Sequence, residues 1–132
     1  MSVRFLIIGG GPAGNTAATY AARLGAEVVM VEREIVGGAA HLLDCIPSKT
    51  MIATGGAMTL GRKSAGMGLE EMQPEVDVEA LTDRIEDIKD HLSNSTTELL
   101  VSQGVRIIKG SASFASPESV VVTTPDGATE VI

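Results

Sequence analysis

Apolar residues form short continuous runs near the start of the chain and a wider-spaced stripe further on. Residues 3–8 form one run that Gly9 stops, and residues 26–32 form a second, a pattern typical of buried parallel strands. Between them, small and helix-favouring residues from Gly14 onwards predict a helix that ends at Gly25. The order predicts a βαβ unit of about thirty residues.

Two further helices are predicted. One runs from Ser48 to about Leu60, with Pro47 tolerated at its first turn. The other covers residues 78–103 and ends before Gly104; its apolar stripe consists of Val78, Leu81, Ile85, Ile88, Leu92 and Leu99. Its charged face consists of Asp83, Glu86, Asp87, Lys89 and Asp90. The near seven-residue spacing also fits a coiled coil, but Ser95 breaks it, so packing on a domain is favoured.

The last thirty residues predict strands. Residues 105–114 and 120–127 read as strands joined by a turn that contains Pro117. The chain stops at Ile132, just after the Asp126-Gly127 turn, so we expect the returning strand to be unfinished and the sequence to be truncated. The predicted fold class is α/β and Rossmann-like, with a parallel sheet and a β-meander that are incomplete here.

Composition and charge narrow the function classes. The formal charge is -7, and the ten Lys and Arg residues are scattered, so we expect no nucleic-acid partner. Apolar runs are too short for membrane insertion. A lone cysteine, Cys45, cannot form an internal disulfide, and we expect a cytoplasmic protein. No His, Cys or carboxylate cluster has metal-ligand spacing, so no metal site is predicted.

A glycine-rich phosphate-binding pattern joins the first strand to the first helix. In the sequence GGGPAG, Gly9 permits a tight turn, Gly11 lets the backbone approach a diphosphate, and Gly14 lets the helix pack on the strand. Glu32 ends the second strand, close to the spacing at which an acid binds a ribose. A carboxylate there disfavours a 2′-phosphate, which leaves FAD or NAD as the ligand.

The segment that starts at Gly37, GGAAHLLDCIPSKT, resembles the pattern GGTCxNxGCIPSK of the pyridine nucleotide-disulfide oxidoreductases. Lipoamide dehydrogenase, glutathione reductase and mercuric reductase belong to that family. The resemblance follows the whole chain in order, from the glycine loop to the segment GSASF. It implies that residues 1–132 are an FAD-binding domain and that nicotinamide-binding and dimerisation domains are absent. It also implies that the full-length protein is a homodimer and that this chain alone is inactive.

The resemblance also assigns cofactor contacts. It implies that Glu32 binds the adenosine ribose, that the Gly37-Gly38 turn lies at the diphosphate, and that Ala112 lies at the adenine edge. It puts Lys49 beside the flavin ring, where a cation would stabilise the charge of the reduced form. The predicted FAD-binding residues are Gly9, Gly11, Pro12, Ala13, Gly14, Glu32, Arg33, Gly37, Gly38, Ala39, Lys49 and Ala112.

One departure from the family pattern changes the expected reaction. Ala40 stands where family members that act on thiols keep the first of two cysteines, and a disulfide relay requires two sulfurs. Some members without that pair, which resemble this sequence in the segment GGAA…DC, act as quinone reductases. The resemblance therefore implies hydride transfer from NAD(P)H through FAD to a diffusible acceptor such as a quinone. A dihydrolipoamide dehydrogenase-like enzyme and a non-catalytic FAD-binding module remain alternatives.

Cys45 is the candidate catalytic residue. It precedes a predicted helix N-terminus, with Lys49 one turn on, so its thiolate could donate charge toward the flavin. It could equally pack against the ring without a redox task, and both interpretations stay open. His41 is interpreted as a polar surface residue rather than an acid-base group, and His91 as solvated surface.

Overall fold

The structure is a computed structural model that describes residues 3–132. Its helices and strands are β1 (Arg4–Ile8), α1 (Pro12–Arg23), β2 (Glu27–Glu32), α2 (Ala39–Leu42), α3 (Cys45–Arg62), a 3₁₀ helix (Ser64–Met67), α4 (Val78–Ser102), β3 (Arg106–Lys109), β4 (Ser111–Ser116), β5 (Ser119–Thr123) and β6 (Thr129–Val131). Within the described residues the strands form a parallel sheet ordered β1-β2-β3 and an antiparallel meander ordered β4-β5-β6. The predicted α/β fold with a parallel sheet and a meander is thus confirmed.

Strand β2 is the centre of the parallel sheet. Its Met30 lies opposite Ile7 of β1 on one side and Ile107 of β3 on the other. The four residues from Val28 to Val31 are all buried, because both faces of the strand are covered. Burial on both faces explains why this run is continuously apolar instead of alternating with polar residues.

Successive side chains of β2 enter two separate cores, since neighbouring residues of a strand point to opposite faces. On one face Met30 packs with Ala18 of α1 and Leu100 of α4. On the other face Val31 packs with Val122 of β5. The chain therefore has three layers, with α1 and α4 on one side of the parallel sheet and the meander on the other.

The meander contains the returning strand that was expected to be unfinished. Strand β6 pairs with β5, and Ile132 beyond it exchanges two backbone hydrogen bonds with Val120, each of 2.9 Å. The strand starts just after the turn at Gly127, whose N–H donates to the Thr124 carbonyl at 2.9 Å. There the Thr124 hydroxyl and then the Ala128 N–H hold the pKa of the Asp126 carboxyl below its ordinary value.

Two helices begin earlier than predicted. Helix α1 begins at Pro12, which suits a first helical position because it has no N–H to leave unpaired, and the extended backbone of Gly11 precedes it. Helix α3 begins at Cys45 rather than Ser48, so Pro47 lies within its first turn. Cys45 is therefore the first residue of the helix and does not precede it.

Helix α4 confirms the predicted long helix, but its buried face differs from the predicted stripe. Leu99 is 55% exposed and Val78 is 69% exposed, whereas Leu100 is only 1% exposed. An α-helix drifts by about 20° per heptad, so residues at seven-residue spacing leave the buried face over this length. Lys89 departs from the predicted charged face, since its side chain is 12% exposed and binds Glu86 at 2.7 Å.

Candidate cofactor-binding site

A cleft of about 400 Å³ opens at the carboxyl ends of β1 and β2. This is the edge at which open α/β sheets bind ligands. Half of the twelve predicted cofactor-binding residues line it, and these are Gly9, Glu32, Arg33, Gly38, Ala39 and Ala112. The fold thereby places Ala112 of the meander in the same cleft as Glu32, the acid that ends β2.

The glycine loop between β1 and α1 has the geometry that its sequence predicted. Gly9 has a φ of +100°, which only glycine adopts readily. A Cβ on Gly14 would overlap the carbonyl oxygen of Gly9, so a larger residue there would push α1 off the strand. A Cβ on Gly11 would meet no atom of the described residues within 4 Å. The loop is therefore packed at Gly14 and open at Gly11, which leaves a ligand access to its backbone.

Glu32 ties this loop to the end of β2. Its Oε2 accepts a hydrogen bond of 2.6 Å from the Gly10 N–H, and its Oε1 accepts one of 2.7 Å from the Glu34 N–H. A carboxylate offers about four acceptor sites, so both oxygens can also accept hydrogen bonds from ribose hydroxyls. The residues present fit the ribose of a dinucleotide without a 2′-phosphate.

Gly10 is a site residue that sequence reasoning missed. A Cβ at this position would lie 3.2 Å from the Oε2 of Glu32, so a side chain would push the carboxylate away. Its carbonyl oxygen also accepts a hydrogen bond of 2.7 Å from the Gly37 N–H. The sequence did contain a sign of this role. The phosphate-binding pattern G-x-G-x-x-G does not require glycine at position 10, yet the sequence has one there.

The Gly37-Gly38 turn packs directly on the glycine loop. Its residues have φ values of +115° and +60°, which explains the glycine pair. A Cβ on Gly38 would lie 3.0 Å from the Cα of Gly11. Two backbone turns without side chains therefore meet where the diphosphate was predicted to bind.

Helix α2 continues from that turn and changes the interpretation of His41. The imidazole is half-buried against Gly37, and its Nδ1 is buried without a hydrogen-bond partner among residues 3–132. The prediction of a polar surface residue was therefore wrong, because the residue faces the turn that precedes it. Leu42 and Leu43 line the cleft, and nothing in their spacing had indicated this role.

Cys45 and Lys49 do not line the cleft. Both are exposed residues of the first turns of α3. The Asp44 side chain makes no capping bond there, although the Ser48 hydroxyl donates to the Asp44 carbonyl at 2.6 Å. The structure thus separates these two side chains from the residues around Glu32.

Residues 3–132 contain neither a metal-binding cluster nor a membrane-spanning helix. No group of three or more His, Cys, Asp or Glu residues in that range is arranged to hold a metal ion. Over the same range, every helix is too short or too polar to cross a membrane. His91 is exposed on α4, as predicted.

The family model described as pyridine nucleotide-disulphide oxidoreductase matches residues 3–132. The chain belongs to this family. It is 35% identical to a dihydrolipoyl dehydrogenase of Halobacterium salinarum over 122 residues, which are 92% of this chain and 26% of that protein. It is 34% identical to a mercuric reductase of Lysinibacillus sphaericus over 118 residues, which are 89% of this chain and 22% of that protein.

Solved structures agree with this assignment. The structure of LpdA from Mycobacterium tuberculosis matches with a TM-score of 0.88 and 32% identity, covering 98% of this chain and 29% of that one. The flavoprotein disulfide reductase RclA of Escherichia coli matches with a TM-score of 0.78 and 24% identity, which shows the same fold. The chain spans about a quarter of the length of the curated relatives it matches.

Proposed function

We propose that residues 1–132 are the FAD-binding domain of a flavoprotein oxidoreductase. The observation that carries this proposal is the cleft at the carboxyl ends of β1 and β2, which Gly9, Glu32 and Ala112 line together. The open backbone of Gly11 lies against Gly38, which lines the same cleft. Family membership over residues 3–132 supports the same conclusion.

The chemistry of the cleft matches the parts of a dinucleotide in order. The first N–H groups of α1 and the positive end of its dipole favour a diphosphate beside Gly11. The Glu32 carboxylate suits ribose hydroxyls and would repel a 2′-phosphate. Ala112 offers a small side chain for the edge of an adenine ring. We propose the remaining predicted residues, including Pro12, Ala13 and Arg33, as further contacts.

The reaction we propose is oxidation of NAD(P)H with reduction of a diffusible acceptor such as a quinone. Bound FAD would supply the hydride-carrying chemistry between the two. Lys49 is the cation we propose for the flavin ring, where its charge would favour reduction. We also propose that the full-length protein is a cytoplasmic homodimer that needs a nicotinamide-binding domain, so that residues 1–132 alone would not turn over.

The absence of a second cysteine supports an electron acceptor that is not a disulfide. Ala40 occupies the position of the first cysteine of the thiol-active family pattern, and Cys45 is the one cysteine in the sequence. A thiol-disulfide relay needs a second thiolate to resolve the intermediate. Cys45 is also exposed in the structure. A relay that used it would need a second sulfur from outside residues 1–132.

A dihydrolipoamide dehydrogenase-like activity is the second candidate. It is favoured by relatives that carry the name dihydrolipoyl dehydrogenase, among them proteins of Halobacterium salinarum and Pseudomonas aeruginosa at 35% and 31% identity. A non-catalytic FAD-binding module is the third candidate, because the described cleft would bind a dinucleotide whether or not turnover follows.

One set of assays on the full-length protein separates these candidates. The bound flavin is quantified from its absorption spectrum, and oxidation of NADH and NADPH is followed with a benzoquinone and, separately, with lipoamide. We expect stoichiometric FAD and turnover with the quinone alone. Robust lipoamide turnover would favour the second candidate, and bound FAD without turnover would favour the third. A protein that binds no FAD would contradict the proposal.

A further inference from the structure

We propose that His41 is a positioning residue of the cofactor site, whose imidazole ring holds the Gly37-Gly38 turn against the glycine loop. This inference rests on the proposed FAD site and extends it to a residue that does not line the cleft. His41 would act through Gly37, not by contact with the cofactor.

The ring lies directly on the α-carbon of Gly37. A Cβ on that glycine would overlap Nδ1 of the ring and would approach its Cγ and Cε1 atoms almost as closely. Gly37 is buried and has a φ of +115°. The turn therefore depends on glycine for its backbone angle and for the space that the ring occupies.

From Gly37 the contacts continue to both halves of the site. The Gly37 N–H donates to the Gly10 carbonyl at 2.7 Å, and the Gly10 N–H donates to Oε2 of Glu32 at 2.6 Å. The neighbouring Gly38 packs on Gly11. If the turn loosened, the glycine loop and the ribose-binding acid would each lose a fixed neighbour.

The ring acts on the turn through its volume. Its Nδ1 is buried without a partner among the described residues, so that nitrogen makes no hydrogen bond that fixes the turn. Helix α2 has only four residues and cannot be stable by itself, so a side chain that anchors it to the turn has a structural task. An aromatic ring without nitrogen should therefore replace the imidazole, whereas a flexible polar side chain should not.

The test compares FAD affinity in full-length variants at this position. His41→Ala removes the ring, His41→Gln keeps polarity without a ring, and His41→Phe keeps a ring without polarity. We expect the first two to weaken FAD binding about tenfold and His41→Phe to stay within about threefold of wild type. His91→Ala, which changes the other histidine at an exposed position of α4, is the matched control and should leave affinity unchanged.

A double-mutant cycle tests the contact itself. Gly37→Ala collides with the ring in the wild-type background, but the added methyl group gains space when His41→Ala is present. We expect the loss caused by Gly37→Ala to be at least threefold smaller in that second background. The same cycle measured on unfolding of the FAD-free protein reports the contact without any cofactor.

The outcomes are distinguishable. Equal FAD affinity in all three His41 variants, or an additive cycle, would overturn the positioning role. Normal affinity in His41→Gln with weak binding in His41→Phe would also overturn it, because polarity would then matter more than volume. If the wild type binds no FAD, the proposed function fails, while the cycle on unfolding still decides whether the ring supports Gly37.

Discussion

The glycine loop and the start of α3, residues 44–49, hold the two strongest sequence motifs of the chain and are built in opposite ways. In the loop, what faces a ligand is backbone, and packing holds it in place. Gly14 lies on Gly9, and Gly10 is bonded to both Glu32 and Gly37. At the start of α3, the groups proposed for a role in the reaction are the side chains of Cys45 and Lys49. Both side chains are exposed.

The difference in packing predicts different effects of substitution in the two regions. A close-packed backbone transmits any added volume to its neighbours, so substitutions at the packed positions of the loop should change stability and affinity together. An exposed side chain has few neighbours to disturb, and substitutions at such positions usually change stability by less than about 0.5 kcal/mol. Substitutions at the start of α3 should therefore leave the fold unchanged, whether or not they affect the reaction.

The largest expected effect is that of Gly14→Ala. The added methyl group meets the backbone carbonyl of Gly9, so we expect a loss of about 2–3 kcal/mol in the free energy of unfolding and loss of FAD binding. Chemical denaturation measures the first quantity. Gly55→Ala in α3 is the matched control, because its methyl group meets open space and should stabilise the helix by up to about 1 kcal/mol. Equal effects at the two glycines would contradict the packing difference.

Next in size is Glu32→Ala. The change leaves the N–H groups of Gly10 and Glu34 without their carboxylate, and we expect a loss of about 2 kcal/mol together with at least tenfold weaker FAD binding. Denaturation and flavin titration measure the two effects. Glu34→Ala removes an exposed ion pair with Arg33 and should cost less than about 0.5 kcal/mol. A Glu32→Ala protein with unchanged stability would show that the loop does not depend on this acid.

Gly11→Ala tests the open part of the loop, in contrast to the packed part at Gly14. Its methyl group meets no described atom within 4 Å, so we expect less than about 1 kcal/mol of destabilisation, the cost of alanine at a helix N-cap. The same methyl group would stand where a diphosphate approaches, so FAD affinity should fall at least tenfold. Unchanged FAD affinity would show that the diphosphate does not bind beside Gly11.

Lys49→Met tests the start of α3. Stability and FAD stoichiometry should stay as in wild type, whereas the flavin reduction potential should fall by about 20 mV or more when a nearby positive charge is removed. Lys63→Met, at an exposed lysine just beyond the end of the same helix, is the control and should leave the potential unchanged. If the flavin reduction potential is the same in both variants, Lys49 does not lie beside the flavin ring.

The smallest effect is expected for Cys45→Ser. If the reaction uses no disulfide, quinone-dependent NAD(P)H oxidation should stay within about twofold of wild type, because an exposed thiol contributes little to packing. Loss of that turnover with FAD still bound would favour the thiolate as an electron donor to the flavin. The same variant thus decides between the two interpretations of this cysteine.

Much of the site could be predicted because its determinants are local. The positive φ of Gly9, the tight packing of Gly14 and the position of Glu32 at the end of β2 follow from a glycine pattern within one βαβ unit. The same holds for fold class, since short apolar runs that alternate with helices favour a parallel sheet. These features depend on steric limits of the backbone, which a short stretch of sequence already contains.

Other features depend on which surface a helix meets. The burial of Leu100 instead of Leu99 was not predictable from spacing alone, because the seven-residue pattern drifts around the helix. The prediction that His41 is a surface residue failed for a similar reason. Its ring is half-buried because α2 packs against the Gly37-Gly38 turn that precedes it. Such orientations are decided by contacts between elements and not by the residues next to them.

The sequence by itself determined the family, the βαβ unit and the identity of the glycines and the acid that would hold a dinucleotide. Only the tertiary structure decided that Ala112 lines the same cleft as that acid, that Gly10 links the acid to the turn at Gly37, and that Cys45 and Lys49 lie outside the cleft. The physical reason is distance along the chain. Backbone angles are set by neighbours, whereas a cleft forms only when packed layers bring separate segments to one edge of a sheet.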